Sequence, residues 1–207
     1  MSMTNSFRQV MVALRVLVFF TVVLGLAYPL AMTGAAQVLF HGNANGSVVR
    51  VDGKDAASDL VGQAYTMDSG RKDADGEAIM VADPHWFQTR PSASEYDALA
   101  SGGSNLGPNN ADLLAEVEER REAVAALEGV AQSQVPPDAV TASGSGLDPD
   151  ISPAYAALQV DRVARERGLP VATVRQLVME YTQGRTLGFL GEPRVNVVKL
   201  NGALAAL

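Results

Sequence analysis

From position 16 to position 49 no Lys, Arg, Asp or Glu interrupts the chain, and the first half of that run is mostly aliphatic. A hydrocarbon core of roughly 30 Å takes about 20 apolar residues in a helix, so the pattern predicts a transmembrane anchor within residues 10–40. Tyr28-Pro29 falls in its outer half. Tyrosine suits a headgroup boundary, and Pro29 lacks a backbone donor, so a kink or an end of the regular helix is expected there. Arg8 and Arg15 are the only charged side chains before Arg50. Positive flanks stay inside, which makes residues 1–9 a cytoplasmic N-terminus and everything from about residue 45 extracytoplasmic. A cleavable signal peptide is the competing reading, since Gly34-Ala35-Ala36 offers the small residues that cleavage requires. The apolar run exceeds the roughly 7–15 residues of a signal's apolar stretch, and a retained anchor is preferred.

After the anchor the pattern changes. Residues 41–47 are rich in Gly, Asn and Ser and read as a linker leaving the membrane. Val48-Val49-Arg50-Val51 reads as a short strand, closed by an Asp52-Gly53 turn. Residues 60–65 form the next short element, 66–77 are polar and predict a loop, and 78–81 a second strand. Residues 82–110 lack periodicity and are punctuated by Pro84, Pro91, Gly102, Gly103, Gly107 and Pro108. Trp86, Phe87, Tyr96 and Leu99 are the side chains expected to anchor this long loop. A loop of that length inside a compact domain is functional or disordered, and the aromatic anchors favour order.

Three helices follow. Asn109 or Asn110 caps one running to about Leu127, with Leu113, Leu114, Val117, Val124 and Leu127 at helical spacing and a charged wet face opposite. Ser152-Pro153 opens a second as N-cap and first helical residue, ending at Arg167-Gly168. Pro170 opens a third, striped by Val174, Leu177, Val178 and Tyr181. Residues 195–200 read as a closing strand. The fold class is α/β, a mixed α+β extracytoplasmic domain over residues 48–207 on a single N-terminal transmembrane helix.

Composition narrows the function. The chain has 207 residues and a net charge of −7. Removing Arg8 and Arg15 leaves 14 basic and 23 acidic side chains in residues 50–207, a net −9. Phosphate binding needs clustered Lys and Arg, so nucleic acid is excluded as a partner. Cysteine is absent, which removes disulfides, thiolate metal sites and Cys nucleophiles.

No coherent catalytic set emerges. His85 with Asp83 and a distant Ser would make a membrane-anchored hydrolase, the alternative function, but nothing places the Ser. Ser143-Gly144-Ser145-Gly146 lacks the G-x-S-x-G of a nucleophile elbow and reads as a tight backbone path. Asp148-Pro149-Asp150 does not continue as a Ca²⁺ loop and suits an Asx turn ahead of Ser152. Ser101-Gly102-Gly103-Ser104-Asn105 precedes a helix but is not followed by Gly-Lys-Ser/Thr. Residues 163–175 have the outline of a helix-turn-helix, yet the second helix carries only Arg175 as a base, so a structural helical hairpin is expected.

Taken in order, several segments resemble one family. They are the anchor with Tyr28-Pro29, Asn45-Gly46-Ser47, Leu60-Val61-Gly62-Gln63, and Phe87-Gln88-Thr89-Arg90-Pro91-Ser92-Ala93. Next come Tyr96-Asp97, Ser101-Gly102-Gly103-Ser104-Asn105-Leu106 and the run from Val140 through Ser143 to Asp148. Ile151-Ser152-Pro153, Gln159 with Arg162-Val163-Ala164, Gly191-Glu192-Pro193-Arg194-Val195-Asn196 and Leu200-Asn201 complete the set. The pattern resembles the KdpC family, the C subunit of the Kdp-type potassium-transporting P-type ATPase. The resemblance implies a non-catalytic accessory subunit of a high-affinity K⁺ uptake complex in the bacterial inner membrane. Its partners would be a channel-like K⁺-binding subunit, a P-type ATPase catalytic subunit and the bilayer. ATP and K⁺ would be handled by those partners, with no cofactor bound by this chain, and any support of ATP affinity would pass through the membrane subunits by coupling. The interface or structural candidates are the motif residues Tyr28, Pro29, Gln88, Arg90, Pro91, Ser92, Ser101, Gly102, Gly103, Asn105, Ser143, Asp148, Ser152, Pro153 and Asn196. The polar stretch 66–85 is longer and more charged than the family pattern implies.

Overall fold

A computed structural model describes residues 3–51 and 53–207. The chain divides into two compact units at Ser47/Val48. The first is helical: α1 (Met3–Val22), a π-helical turn (Val23–Ala27), α2 (Tyr28–Leu39) and the short α3 (His41–Ala44). The helical stretch Ser6–Leu39 contains 18 consecutive residues with a mean hydropathy of 2.5 and is long and apolar enough to cross a membrane. Of the two outcomes expected at Pro29, a kink or an end, the helix does not end there; the regular α-helix is instead interrupted by the π turn just before it. In an α-helix its ring would crowd the carbonyl of residue 25. The π turn widens the spiral just before it, so that the Tyr28 N–H donates to the Val23 carbonyl, five residues back. One wide turn absorbs the misfit. The linker expected over 41–47 also begins in helical form, as α3, and the Asn45 and Gln37 amides pair across the bend, with Asn45 Nδ2 donating to Gln37 Oε1 at 3.0 Å.

Among the described residues, the second unit holds three small antiparallel sheets and four α-helices. β1 (Val48–Val51) pairs with β2 (Lys54–Ser58), and β3 (Thr66–Lys72) pairs with β4 (Ala78–Ala82). Gly53, with φ 74°, stands in the turn of the first hairpin; the Asp52 half of the expected turn lies outside the described residues. The third sheet has the order β5-β7-β6, from β5 (Asp150–Ile151), β6 (Thr182–Gln183) and β7 (Arg194–Asn196).

The helices α4 (Ala111–Glu128), α5 (Pro153–Arg167) and α6 (Val171–Glu180) match the expected ones. Asn110 Oδ1 accepts from the Asp112 and Leu113 amides and caps α4. Ser152 Oγ accepts the Tyr155 amide at 3.0 Å and caps α5, which Gly168 ends at φ 66°. The core forms around α5. Its Tyr155, Ala156, Val160, Val163 and Ala164 pack with Val174 and Val178 of α6, Ile151 and Val195 of the third sheet, and Phe87 of the long loop.

Four expectations about the second unit are corrected. Residues 66–72 form a strand rather than a loop, because both faces of the β3–β4 hairpin are largely exposed and no apolar alternation marks them. Residues 60–65 form no regular element. The closing strand stops at Asn196, and α7 (Val197–Leu204) follows. Asn196 Oδ1 accepts the Lys199 amide at 3.0 Å as an N-cap. Val197, Val198, Leu200 and Leu204 then fall on one buried face. Leu99, an expected anchor of the long loop, is 97% exposed, while Phe87 is fully buried.

Candidate functional site

The long loop begins as an extended segment with no strand beside it. Extended backbone presents the N–H and C=O of successive residues to opposite sides, and buried backbone polar groups must find partners. Here side-chain amides supply them. Asn201 of α7 takes the Phe87 N–H on Oδ1 at 3.0 Å and donates Nδ2 to the Phe87 carbonyl at 2.9 Å. Gln159 of α5 does the same for Gln88, at 2.6 and 3.1 Å. The segment is thus held by two helices through two amides. Arg162, one turn along α5, donates Nη1 to the carbonyls of Pro84 and Trp86 at 2.5 and 3.0 Å and Nη2 to Gln159 Oε1 at 2.8 Å. Its Nε lies 3.0 Å from both carboxylate oxygens of Glu128. The two side chains of this ion pair are 1% and 0% exposed. Burial raises the Glu128 carboxyl above its ordinary value, and the Arg162 charge opposes that rise.

Beyond Gln88 the loop interlaces with residues 141–148. Thr89 Oγ1 donates to the Gln63 carbonyl. Arg90 Nη1 meets Asp148 Oδ2 at 3.0 Å. Ser92 Oγ donates to the Gly146 carbonyl at 2.6 Å and accepts the Tyr96 amide at 3.0 Å. The Tyr96 hydroxyl donates to the Arg90 carbonyl. From the opposite side, Ser143 N–H reaches the Pro91 carbonyl, Gly102 N–H the Ser145 carbonyl at 2.8 Å, and Ser101 Oγ the same carbonyl at 3.1 Å. Gly146 sits at φ 68°, and a Cβ there would lie 2.7 Å from the Gly102 carbonyl oxygen and closer still to Ser94 Oγ. Only glycine lets the two loops approach this closely.

A groove of about 620 Å³ opens beside this cluster, lined by Arg90, Asp138, Asp148, Asp150, Glu192 and Arg194 among others. Its charges are engaged with one another. Asp148 pairs with Arg90, Asp150 with Arg194 at 3.0 Å, and Glu192 with Arg185 at 2.7 Å. Asp138 accepts from the Ser152 amide and hydroxyl at 2.7 and 2.9 Å. The arrangement is a shaped, ion-paired surface suited to recognition.

Burial raises the Asp150 carboxyl, and Arg194 opposes the rise without cancelling it. A raised carboxyl holds its proton longer in the folded state. Its contribution to stability is therefore present below the ordinary aspartate value and lost as pH rises from there through the folded one. The Asp150→Asn variant should show a flatter stability–pH curve in that window, measured by thermal unfolding at constant ionic strength. A curve parallel to the parent's would refute the assignment.

The expected site residues divide by location. Arg90, Pro91, Ser92, Ser101, Gly102, Gly103, Ser143 and Asp148 come together in the loop cluster, Gly103 close against Gly144, while Gln88 stands just before it, held by Gln159 of α5. Ser152 and Pro153 stand where α5 starts, at the edge of the groove. Asp148 Oδ1 accepts the Asp150 amide as the expected Asx turn. Asn105 adopts φ 54° and donates to the Gly103 carbonyl. Asn196 lies apart from the cluster's bonds, capping α7 and donating to the Asp59 carbonyl at 2.7 Å. Tyr28 and Pro29 belong to the apolar helix of the first unit. His85 hydrogen-bonds Asp83 through Nδ1 at 2.8 Å on a half-exposed turn. Residues 163–175 form the helical hairpin of α5 and α6.

Gln159, Arg162, Glu128 and Asn201 were missing from the candidate residues. The signal was present, since Gln159 and Arg162 stand beside Val160 and Val163 on the apolar face of α5, and a polar side chain there needs a buried partner.

Comparison with known proteins extends the likeness to the whole chain. Residues 10–206 match the family described as KdpC, the K⁺-transporting ATPase c chain. The potassium-transporting ATPase KdpC subunit of Streptomyces avermitilis is 48% identical over 219 residues, covering 100% of this chain and 97% of the relative. That of Kineococcus radiotolerans is 50% identical over 206 residues, with 99% and 96% covered. That of Methylococcus capsulatus is 47% identical over 208 residues, with 99% and 100% covered. The likeness therefore spans the apolar helix as well as the loop cluster.

Proposed function

The chain belongs to the KdpC family, the c chain of K⁺-transporting ATPases, and from that premise we propose that it is a non-catalytic accessory and assembly subunit whose folded unit docks on its partners. Those partners are a channel-like K⁺-binding subunit and a P-type ATPase catalytic subunit in a bacterial inner membrane. Residues 1–9 are cytoplasmic, 10–40 span the bilayer, 41–47 link, and 48–207 lie outside. The observation that carries the docking role is the loop cluster. Motif residues between positions 88 and 148 are drawn into one rigid surface by hydrogen bonds spanning 44 to 58 positions of sequence. Rigidity of that kind lowers the ordering cost of binding. From outside the membrane the unit cannot touch cytoplasmic ATP, so its support of ATP affinity and turnover acts through the membrane-embedded subunits as a coupling free energy.

The test is a mild-detergent pull-down of the tagged full-length chain from native membranes under K⁺ limitation, read by mass spectrometry. Recovery of a channel-like membrane protein and a P-type ATPase is expected. Recovery of the chain alone, where both are expressed, would end this reading.

A further inference from the structure

The segment between β6 and β7 is a small closed turn. Thr186 and Leu190 exchange both backbone hydrogen bonds at 2.9 Å, and Arg185 and Glu192 pair outside them. Between these closures the chain presents apolar side chains to solvent: Leu187 is 80% exposed, Phe189 69% and Leu190 49%. Leu187 holds φ 55° and Gly188 φ 84°, so the tip has a defined shape. Three large apolar groups on one ordered tip, clear of the core, mark an interaction site.

We infer that this tip is an apolar knob that seats in a pocket on the outer face of a membrane-embedded subunit of the same K⁺-transporting ATPase. The inference rests on the proposed docking role and names its contact. Chain continuity ties the tip to the groove, since Glu192, Pro193 and Arg194 follow it directly and line that groove. An aromatic and aliphatic centre with an ion-paired polar rim has the anatomy of a protein–protein interface. The groove that the tip leads into carries more acid than base, with Asp138, Asp148, Asp150 and Glu192 against Arg90 and Arg194, so a partner that covers tip and groove together offers an apolar pocket beside basic side chains. A lipid surface fits less well. Interfacial insertion draws on Lys and Arg facing anionic headgroups, whereas the one cation of this turn, Arg185, is paired with Glu192.

The chain contains no cysteine, so a Leu187→Cys substitution supplies a unique thiol. Its labelling by a maleimide is measured on the full-length chain alone and in the purified complex, and a thiol-linked benzophenone at the same position is photolysed in the complex. Labelling is expected to slow at least tenfold on assembly, with cross-links to another subunit of the complex. The Phe189→Ala variant should dissociate from the complex at least tenfold faster with an unchanged Tm. Equal labelling in both states overturns the inference, as do cross-links confined to lipid or to a second copy of this chain. Either can occur with the complex intact, which separates failure of this contact from failure of the subunit reading; loss of the wild-type chain from the complex would mark the latter.

Discussion

Arg162→Met is expected to lower the stability of the full-length chain by roughly 3–5 kcal/mol, the usual loss when one partner of a buried ion pair is removed. For a chain of this size that corresponds to a fall in Tm of about 10 °C. The substitution keeps much of the volume but leaves the Glu128 carboxylate and the Pro84 carbonyl without a donor, and it takes one of two donors from the Trp86 carbonyl, which keeps Gln88 Nε2 at 3.3 Å. Glu128 already sits above its ordinary value because of burial, with Arg162 opposing. Without the guanidinium its carboxyl rises further. The deficit should then be largest above the new value and shrink as the pH is lowered and the carboxyl takes up a proton. Pairing the change with Glu128→Leu should recover part of the loss, because no charge is stranded. Thermal unfolding in detergent across pH reads all three outcomes. An unchanged Tm in Arg162→Met would show that the buried pair does not hold the 83–90 segment.

Gly146→Ala is the second large effect. The position lies at φ 68°, where a residue with a Cβ is strained, and the added carbon meets the Gly102 carbonyl and Ser94. Strain of about 1–3 kcal/mol and overpacking of similar size are expected. The cost falls on two loops rather than on the apolar centre around α5. The predicted outcome is therefore a fall in Tm of roughly 5–15 °C together with loss of the chain from the assembled complex at temperatures where the variant is still folded, compared by pull-down against the parent. If retention in the complex is unchanged, the loop cluster is not part of the docking surface.

How much of this was legible depends on where a residue's partner sits in sequence. Caps are local, and Asn110, Ser152 and Gly168 announced their helices because the groups they serve lie within about four residues. The apolar stripe of α6 was legible for the same reason. Pro29 marked an irregularity but left a kink and an end both open, because proline reports a local conflict and not how the helix resolves it; one π turn and a break look alike in sequence. Residues 66–72 misled because a hairpin wet on both faces has no alternation to read. The run from Val195 to Leu200 is β-branched enough to suggest a strand, and the cap at Asn196 outweighed that propensity. The buried polar set was harder still. Gln159, Arg162 and Asn201 serve backbone groups 71 to 114 positions away, and no local pattern discloses such a partner. The loop motifs were recognisable as a resemblance, but their convergence on one face was not.

The use of side-chain amides in place of a neighbouring strand has a consequence for the order of folding. A strand pairing would be set by hairpin neighbours and could form early. Here the backbone of Phe87 waits for Asn201 across 114 residues, and that of Gln88 waits for Gln159 across 71. Contacts of such sequence separation close slowly, and during synthesis the Asn201 contact cannot exist until α7 has emerged, although the Gln159 contact needs only α5. The segment that leads into the loop cluster is consequently among the last parts of the unit to be fastened. A nascent chain therefore carries α5 before the backbone of Phe87 can be fastened by residue 201.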